Sequence, residues 1–240
     1  MMPANKNTQL LCAHSGLAFA ILLGLGVFGI AGWMPLVNPG SSASEIAQMF
    51  QDDQTRIRIG VTLLGTGSVF WWSFAAAIAV QMRRIEGEHH PLTYVQMATA
   101  SGGILALLLP SYFWLALAYR PESTSPETMQ LLNDFAWLTF IGMFPPGLLQ
   151  NVSLGICILS DKNGNKIYPR WLAYACFWCA AGFLPTALLP FFKSGPFAWN
   201  GLIGFWVAAL CFFGWIIVMW WATVNAIRQE AEQEARLASI

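Results

Sequence analysis

The sequence predicts an all-α polytopic membrane protein, a bundle of six transmembrane helices with short amphipathic helices in its outer loops. The first observation is that every charged residue lies outside six charge-free stretches, at 7–44, 59–82, 89–119, 135–160, 171–192 and 194–227. Each stretch can hold the roughly 20 apolar residues that a helix needs to cross a bilayer core. The second is composition, because 56% of the residues are hydrophobic and only 10% are charged. Soluble helices instead pair an apolar stripe with a polar face.

The charge pattern predicts a single domain over residues 1–240. Its spans are expected near 10–35, 58–82, 94–119, 135–159, 171–192 and 201–226. The first apolar run is too long for the core of a signal peptide, so we expect it to remain as a helix. Most tryptophans mark the two membrane interfaces, where indole rings are enriched. Five lie deeper and are expected to pack inside the bundle or to line a pocket, namely Trp71, Trp72, Trp178, Trp206 and Trp215.

The distribution of Lys and Arg predicts the orientation. The termini and even-numbered loops together carry eight of these residues, whereas the odd-numbered loops carry four. The positive-inside bias therefore predicts that both termini and the loops at 83–93 and 160–170 lie in the cytoplasm. Arg56 and Arg58, at the start of the second span, oppose this bias.

The two longer outer loops contain signals for helix starts. In loop 37–57, Ser42 and Glu45 have the spacing of a capping box, followed by an apolar run that predicts a short amphipathic helix. In loop 120–134, Ser125 can cap a second surface helix, with Pro126 at its first position.

The first span is rich in glycine. Gly24, Gly26 and Gly29 match a dinucleotide fingerprint on paper, but no strand precedes them, so a phosphate site is not predicted. Gly16, Ala20 and Gly24 recur every four residues instead, which predicts a smooth stripe where another helix can approach closely.

Prolines interrupt three consecutive spans, each in the outer half. They are Pro110 in the third span, Pro145 and Pro146 in the fourth, and Pro185 in the fifth. Each proline removes a backbone donor and frees a carbonyl. Two interpretations remain open: the prolines merely shape the bundle, or they line an outward-facing cavity with a polar broken backbone.

Three polar residues accompany the fourth-span prolines as candidate ligand contacts. Asp134 lies at the mouth of that span, while Gln150 and Asn151 follow the double proline by about one turn. The two amides could line the lower part of the cavity, or they could make ordinary hydrogen bonds between helices.

Cysteine and histidine raise one further possibility. Five such residues are predicted at similar depth, namely Cys12, His14, Cys157, Cys176 and Cys179. They could bind a soft metal or exchange thiols and disulfides. Buried cysteine is more commonly a small apolar packing residue, so we predict no metal and no cofactor.

Missing residue types narrow the function further. The spans contain no histidine pair suited to haem, no lysine for retinal and no acidic or basic residue for an ion relay. No nucleophile–base motif is evident, so an enzyme is not favoured. The net charge is zero, so the sequence does not predict a nucleic-acid partner.

Two boundary segments carry a family resemblance. Tyr168-Pro169-Arg170-Trp171 and the later segment 195–201, Gly-Pro-Phe-Ala-Trp-Asn-Gly, resemble small six-span integral membrane proteins of bacteria whose activity is not known. The resemblance covers most of the chain. It implies a six-span fold in a bacterial membrane, and it implies no activity.

Three functional hypotheses follow from the sequence. The leading one is a protein that binds or passes a neutral or apolar small molecule, as a channel, a transporter or a transport subunit. The alternative is a structural or accessory subunit of a larger membrane complex, docked through its small-residue stripe. The third is a membrane enzyme with an unrecognised site. In each case the lipid bilayer is a partner, and a homo-oligomer or larger complex is compatible with the sequence.

Overall fold

A computed structural model describes residues 5–238 of the chain, which are 81% helical and contain no strand. Six helical spans are long and apolar enough to cross a membrane. They run over Lys6–Ile30, Gln54–Glu86, Pro91–Tyr119, Pro126–Ser160, Arg170–Phe191 and Leu202–Leu237, and are called spans 1 to 6 below. The all-α, six-span fold is therefore confirmed.

Each span consists of two helical segments, which meet near the middle of spans 2, 3 and 4 and nearer one end of spans 1, 5 and 6. They are Lys6–Gly24 and the π-helix Leu25–Ile30 in span 1, Gln54–Gly67 and Val69–Glu86 in span 2, Pro91–Gly103 and Leu105–Tyr119 in span 3, Pro126–Gly142 and Pro145–Ser160 in span 4, Arg170–Phe183 and the 3-10 helix Leu184–Phe191 in span 5, and the π-helix Leu202–Val207 and Ala208–Ala238 in span 6. A glycine lies at or shortly before each junction, and glycine favours the helix interior least of all residues except proline.

The spans form a closed ring in chain order, with span 1 packing against both span 2 and span 6. The two ends of this ring are named here by what they carry. The terminal face carries both described chain ends and the connections 87–90 and 161–169. The opposite face carries the connections 31–53, 120–125 and 192–201. Side chains from all six spans lie around the centre of the ring.

Polar contacts tie three spans together at the terminal face. Arg84 of span 2 forms an ion pair with Glu230 of span 6 at 3.1 Å. Arg84 also donates a hydrogen bond to Gln81, whose amide nitrogen donates to the side chain of Gln9 in span 1 at 2.8 Å. These charged side chains therefore join the spans at the end of the bundle, where water is close.

Tryptophan side chains hold the opposite face together. Trp33, Trp114 and Trp137 pack with ring centroids 4.5–5.4 Å apart. Trp199 stacks on Trp137 and donates its indole N–H to the carbonyl of Val37 at 2.7 Å. This hydrogen bond joins the last long connection to the first.

The outer-loop helices agree with the prediction in one case and differ in the other. Ala43–Asp52 is an amphipathic helix, and the capping box between Ser42 and Glu45 is present in full. The second helix begins as predicted, capped by Ser125 with Pro126 at its start, but it continues to Gly142. It is therefore the first half of span 4 and not a separate surface helix, because its apolar residues run directly into the rest of the span.

Glycine does allow a close helix approach, although the predicted stripe is wrong at one position. Gly16 packs against the ring of Phe74, as expected. A Cβ at Gly24 would meet nothing within 4 Å, so Gly24 contacts no other helix closely. Spans 1 and 2 approach most closely at Gly26 and Gly60: a Cβ at Gly26 would lie 2.6 Å from the carbonyl oxygen of Gly60, and a Cβ at Gly60 would lie 2.4 Å from the carbonyl oxygen of Gly26.

The deep tryptophans divide into two groups. Trp71 and Trp215 are buried inside the bundle, as predicted. The prediction is wrong for Trp72, Trp178 and Trp206, which are exposed on the outside of the ring. Indole rings at these positions face the lipid, since a lipid-facing side chain needs only to be apolar.

Candidate ligand-binding cavity

A cavity of about 150 Å³ lies at the centre of the ring, and all six spans contribute to its wall. Nine of the lining residues are aromatic, and they are Phe19, Phe28, Trp71, Phe140, Phe144, Phe183, Phe205, Phe212 and Trp215. The remaining wall is mostly aliphatic side chains and glycine.

The cavity lies at the level where the helical segments meet. Residues beside the junctions of spans 3, 4 and 6 line it, including Ile104, Phe144 and Ala208. In span 4, Met143 and Phe144 lie outside both helical segments, because Pro145 and Pro146 cannot donate backbone hydrogen bonds to the preceding turn. Irregular backbone inside a membrane is tolerated where protein or a cavity surrounds it.

Two amide side chains are the only strongly polar groups among the cavity-lining residues. Gln150 and Asn151 are each 3% exposed. The Asn151 amide nitrogen donates to the carbonyl of Gly147 at 2.9 Å, but its oxygen Oδ1 has no hydrogen-bond partner. The Gln150 nitrogen Nε2 also has none. A buried unpaired polar atom costs about 1–3 kcal/mol, so a function for these atoms is a reasonable expectation.

The chemistry of this wall favours a neutral guest. Asp, Glu, Lys, Arg and His are absent from the cavity-lining residues. An ion moved into such a wall would lose its hydration without gaining a counter-charge, which is far more costly than burying a neutral molecule. Among the lining residues, Gln150 Nε2, Asn151 Oδ1 and Trp215 Nε1 are buried without a hydrogen-bond partner.

The other five sequence-predicted ligand residues do not line the cavity. Pro145 and Pro146 occupy the first turn of the second segment of span 4, and Pro146 packs near Gly102 and Gly103 of span 3. These two prolines therefore start a helix and close the contact between spans 3 and 4.

Pro110 and Pro185 also lie outside the cavity wall, in helical segments of spans 3 and 5. Pro110 is buried within the helix Leu105–Tyr119, and Ala106, four residues earlier, lines the cavity. Pro185 lies in the first turn of the 3-10 segment of span 5. Asp134 lies nearer the opposite face, half-buried and one turn from Leu138. A direct ligand contact at these residues remains a prediction.

The predicted cysteine and histidine group is distributed over separate contacts. The Cys157 thiol lies 3.8 Å from the carbonyl oxygen of Met82, and His14 accepts a hydrogen bond from the Trp220 indole at 3.0 Å. Cys179 lies 3.5 Å from the carbonyl of Cys211, a residue that the sequence analysis did not consider. Over residues 5–238, no three His, Cys, Asp or Glu side chains form a group that could hold a metal ion.

Sequence reasoning missed most of the aromatic wall. Phe19, Phe28, Phe205 and Phe212 look like ordinary membrane-span residues when read one by one. The available signal was a glycine near the middle of every charge-free stretch, which marks the level of the junctions. Leu23, Ile104, Ile141 and Phe183 each lie next to such a glycine and line the cavity.

Six apolar spans closed into one ring define a multi-pass integral membrane protein. Comparisons of the chain with models of protein families, with curated proteins and with solved structures find no match. The chemistry of the central cavity therefore carries the functional argument.

Proposed function

We propose that this membrane protein binds a neutral, largely apolar small molecule in its central cavity and passes it onward, as a channel, a transporter or a transport subunit. The observation that carries the proposal is the central cavity, which all six spans wall with aromatic and aliphatic side chains and with only two amides, those of Gln150 and Asn151.

The size of the cavity sets the size of the guest. Its volume of about 150 Å³ equals that of an engineered apolar protein cavity that stays dry and binds benzene. The guest, or the part of it that is held here, therefore has on the order of six to ten non-hydrogen atoms. Flat rings suit this wall best, because they can pack face-on or edge-on against Trp71, Phe212 and their neighbours.

The polar edge sets the chemistry. A hydroxyl group can donate to Asn151 Oδ1 and accept from Gln150 Nε2, so one phenol-like group can satisfy both atoms. A purely apolar ring of equal size leaves both atoms unpaired. We therefore expect the cavity to prefer a hydroxylated ring to its hydrocarbon counterpart.

Passage is supported by the segmented spans. Two packed helical segments that meet at a junction can change their relative angle with little loss of internal hydrogen bonding. All six junctions lie near the cavity, so such changes would alter its size or its outlets.

Thermal unfolding of the detergent-purified protein tests the binding site. At the same free concentration, phenol is expected to raise the unfolding temperature more than benzene does, since the stabilisation grows with the logarithm of the ligand concentration divided by its dissociation constant. In Gln150→Leu the phenol affinity is expected to fall about tenfold, whereas the benzene affinity is expected to stay within about threefold.

Two results would contradict the proposal. One is the absence of any stabilisation by either compound, which would favour the accessory-subunit hypothesis. The other is an equal loss of phenol and benzene affinity in Gln150→Leu, because that would mean a general change of packing. Leu149→Ala, on the lipid-exposed surface of the same helix, is the matched control and should change neither affinity.

A further inference from the structure

Packed aromatic rings close the cavity toward the opposite face. Trp33, Trp114 and Trp137 are at most 3% exposed and fill the bundle axis. Phe140, which lines the cavity, packs against Trp114 at 5.5 Å and Trp137 at 5.9 Å between ring centroids. A molecule approaching from water on this side would have to separate these rings.

A second aromatic layer closes the cavity toward the terminal face. Trp71 packs against Phe19 at 5.2 Å, Phe212 at 5.8 Å and Trp215 at 5.9 Å between ring centroids. Phe74 adds a further contact with Trp215 at 6.1 Å. Beyond this layer, span 2 packs across the ring against spans 4 and 6. The axial route is therefore filled on both sides.

The side of the ring has one weak seam. Neighbouring spans pack directly in both halves of the bundle, except for spans 1 and 6 in the half toward the opposite face. There the π-helix Leu25–Ile30 packs on span 2, while the π-helix Leu202–Val207 packs on span 5. The two π-helices thus face each other across a gap with little direct contact.

Two phenylalanines fill this gap. The rings of Phe28 and Phe205 meet edge to face with their centroids 6.2 Å apart, and both residues line the cavity. Beside them, Leu25 is 52% exposed and Leu202 is 66% exposed on the outside of the ring. At this seam the residues that line the cavity are thus direct neighbours of residues exposed on the outside of the ring. Single π-helical turns are also frequently found at functional sites.

We infer that the seam between the π-helices of spans 1 and 6 is a lateral portal, through which a lipid-dissolved ligand reaches the cavity from the bilayer. Phe28 and Phe205 close the portal, and rotation of either ring opens it. The inference rests on the proposed function, and it names the source of the ligand: the hydrocarbon phase and not water.

Access to a cysteine placed in the cavity tests this route. The reporter is Ile104→Cys, because Ile104 lines the cavity from span 3 and is 1% exposed. The five native cysteines are first replaced by alanine, at positions 12, 157, 176, 179 and 211. The protein is reconstituted in phosphatidylcholine vesicles. It is then treated with methyl methanethiosulfonate, which is neutral, or with its sulfonatoethyl analogue, which is charged and carries the same reactive group.

The portal predicts a clear pattern of labelling rates. The neutral reagent should modify the reporter, and the charged reagent should not, whether it is added outside or trapped inside the vesicles. Phe205→Ala should raise the neutral rate about tenfold, equivalent to about 1.4 kcal/mol of barrier. Phe205→Trp should lower it. Phe135→Ala, on the lipid-exposed surface of span 4, is the control and should leave the rate unchanged.

Each contrary result overturns the portal. Labelling by the charged reagent at a similar rate would show an aqueous route, and equal effects of Phe205→Ala and Phe135→Ala would show that the seam plays no special part. If Phe205→Ala does not fold, Phe205→Leu and Phe28→Leu carry the same prediction with smaller effects. The assay needs no native ligand, so failure of phenol binding and failure of the portal are separate outcomes.

Discussion

Replacing Gln150 by leucine is expected to stabilise the unliganded protein, although it removes a polar side chain from the site. The Gln150 amide nitrogen is buried without a partner, and such an atom costs about 1–3 kcal/mol. Leucine has a similar volume and no polar atom, so it removes this cost without leaving a cavity. The free energy of unfolding should rise by about 1–3 kcal/mol.

The same substitution at a paired glutamine should have the opposite sign. Gln81 is fully buried, donates to Gln9 at 2.8 Å and accepts from Arg84. Leucine at position 81 leaves both partners without their bonds, so Gln81→Leu is expected to destabilise the protein by about 1–3 kcal/mol. The pair of variants compares one chemical change in two hydrogen-bonding environments.

Thermal unfolding in detergent measures both effects. For a chain of this size, 1 kcal/mol corresponds to about 2–4 °C in the unfolding temperature. Gln150→Leu should therefore unfold at a higher temperature than the wild type, and Gln81→Leu at a lower one. A Gln150→Leu protein that is destabilised to the same extent as Gln81→Leu would refute the reasoning, because it would show that the Gln150 amide makes a structural hydrogen bond.

Three further predictions concern the scaffold. Gly60→Ala should prevent stable folding, because the added Cβ would overlap the backbone of span 1. Gly65→Ala is the control: its Cβ meets nothing within 4 Å, so the variant should be neutral or stabilised by up to about 1 kcal/mol, as measured by expression and thermal unfolding. Trp199→Phe should lower the free energy of unfolding by about 0.5–1.5 kcal/mol through loss of one indole hydrogen bond, with Trp206→Phe on the lipid side as a neutral control. Hydrogen bonds from the Ser42 backbone and hydroxyl lower the pKa of Glu45, so this cap stabilises its helix above the unfolded pKa of about 4.5 and is lost as the pH falls through the folded pKa. The protection of residues 43–52 against hydrogen exchange, corrected for the intrinsic pH dependence of exchange, should therefore fall on acidification, and Ser42→Ala should weaken this dependence.

How much was predictable differs between the fold and the site. The charge-free stretches determine the number and the approximate position of the spans, because a charge inside a lipid-facing helix is strongly disfavoured. The capping signals at Ser42 and Ser125 place two helix starts correctly, since capping depends on neighbouring residues only. Gln150 and Asn151 could be singled out from the sequence because amides are rare inside such spans.

The remaining features depend on contacts between distant residues. The sequence could not say which tryptophans face inward, because lipid and protein interior are equally apolar and periodicity does not separate them. For the same reason Trp71 and Trp178 look alike in sequence but differ in the structure.

The sequence by itself determined that this is a six-span, all-α membrane protein whose spans carry no charge in their middle. The tertiary structure alone decided that residues beside the helix junctions line one cavity and that Gln150 and Asn151 are among its lining residues. It also decided that spans 1 and 6 have little direct contact in the half toward the opposite face. The physical reason is that insertion into a bilayer depends on the composition of each segment, whereas a cavity depends on how segments far apart in the chain pack against each other.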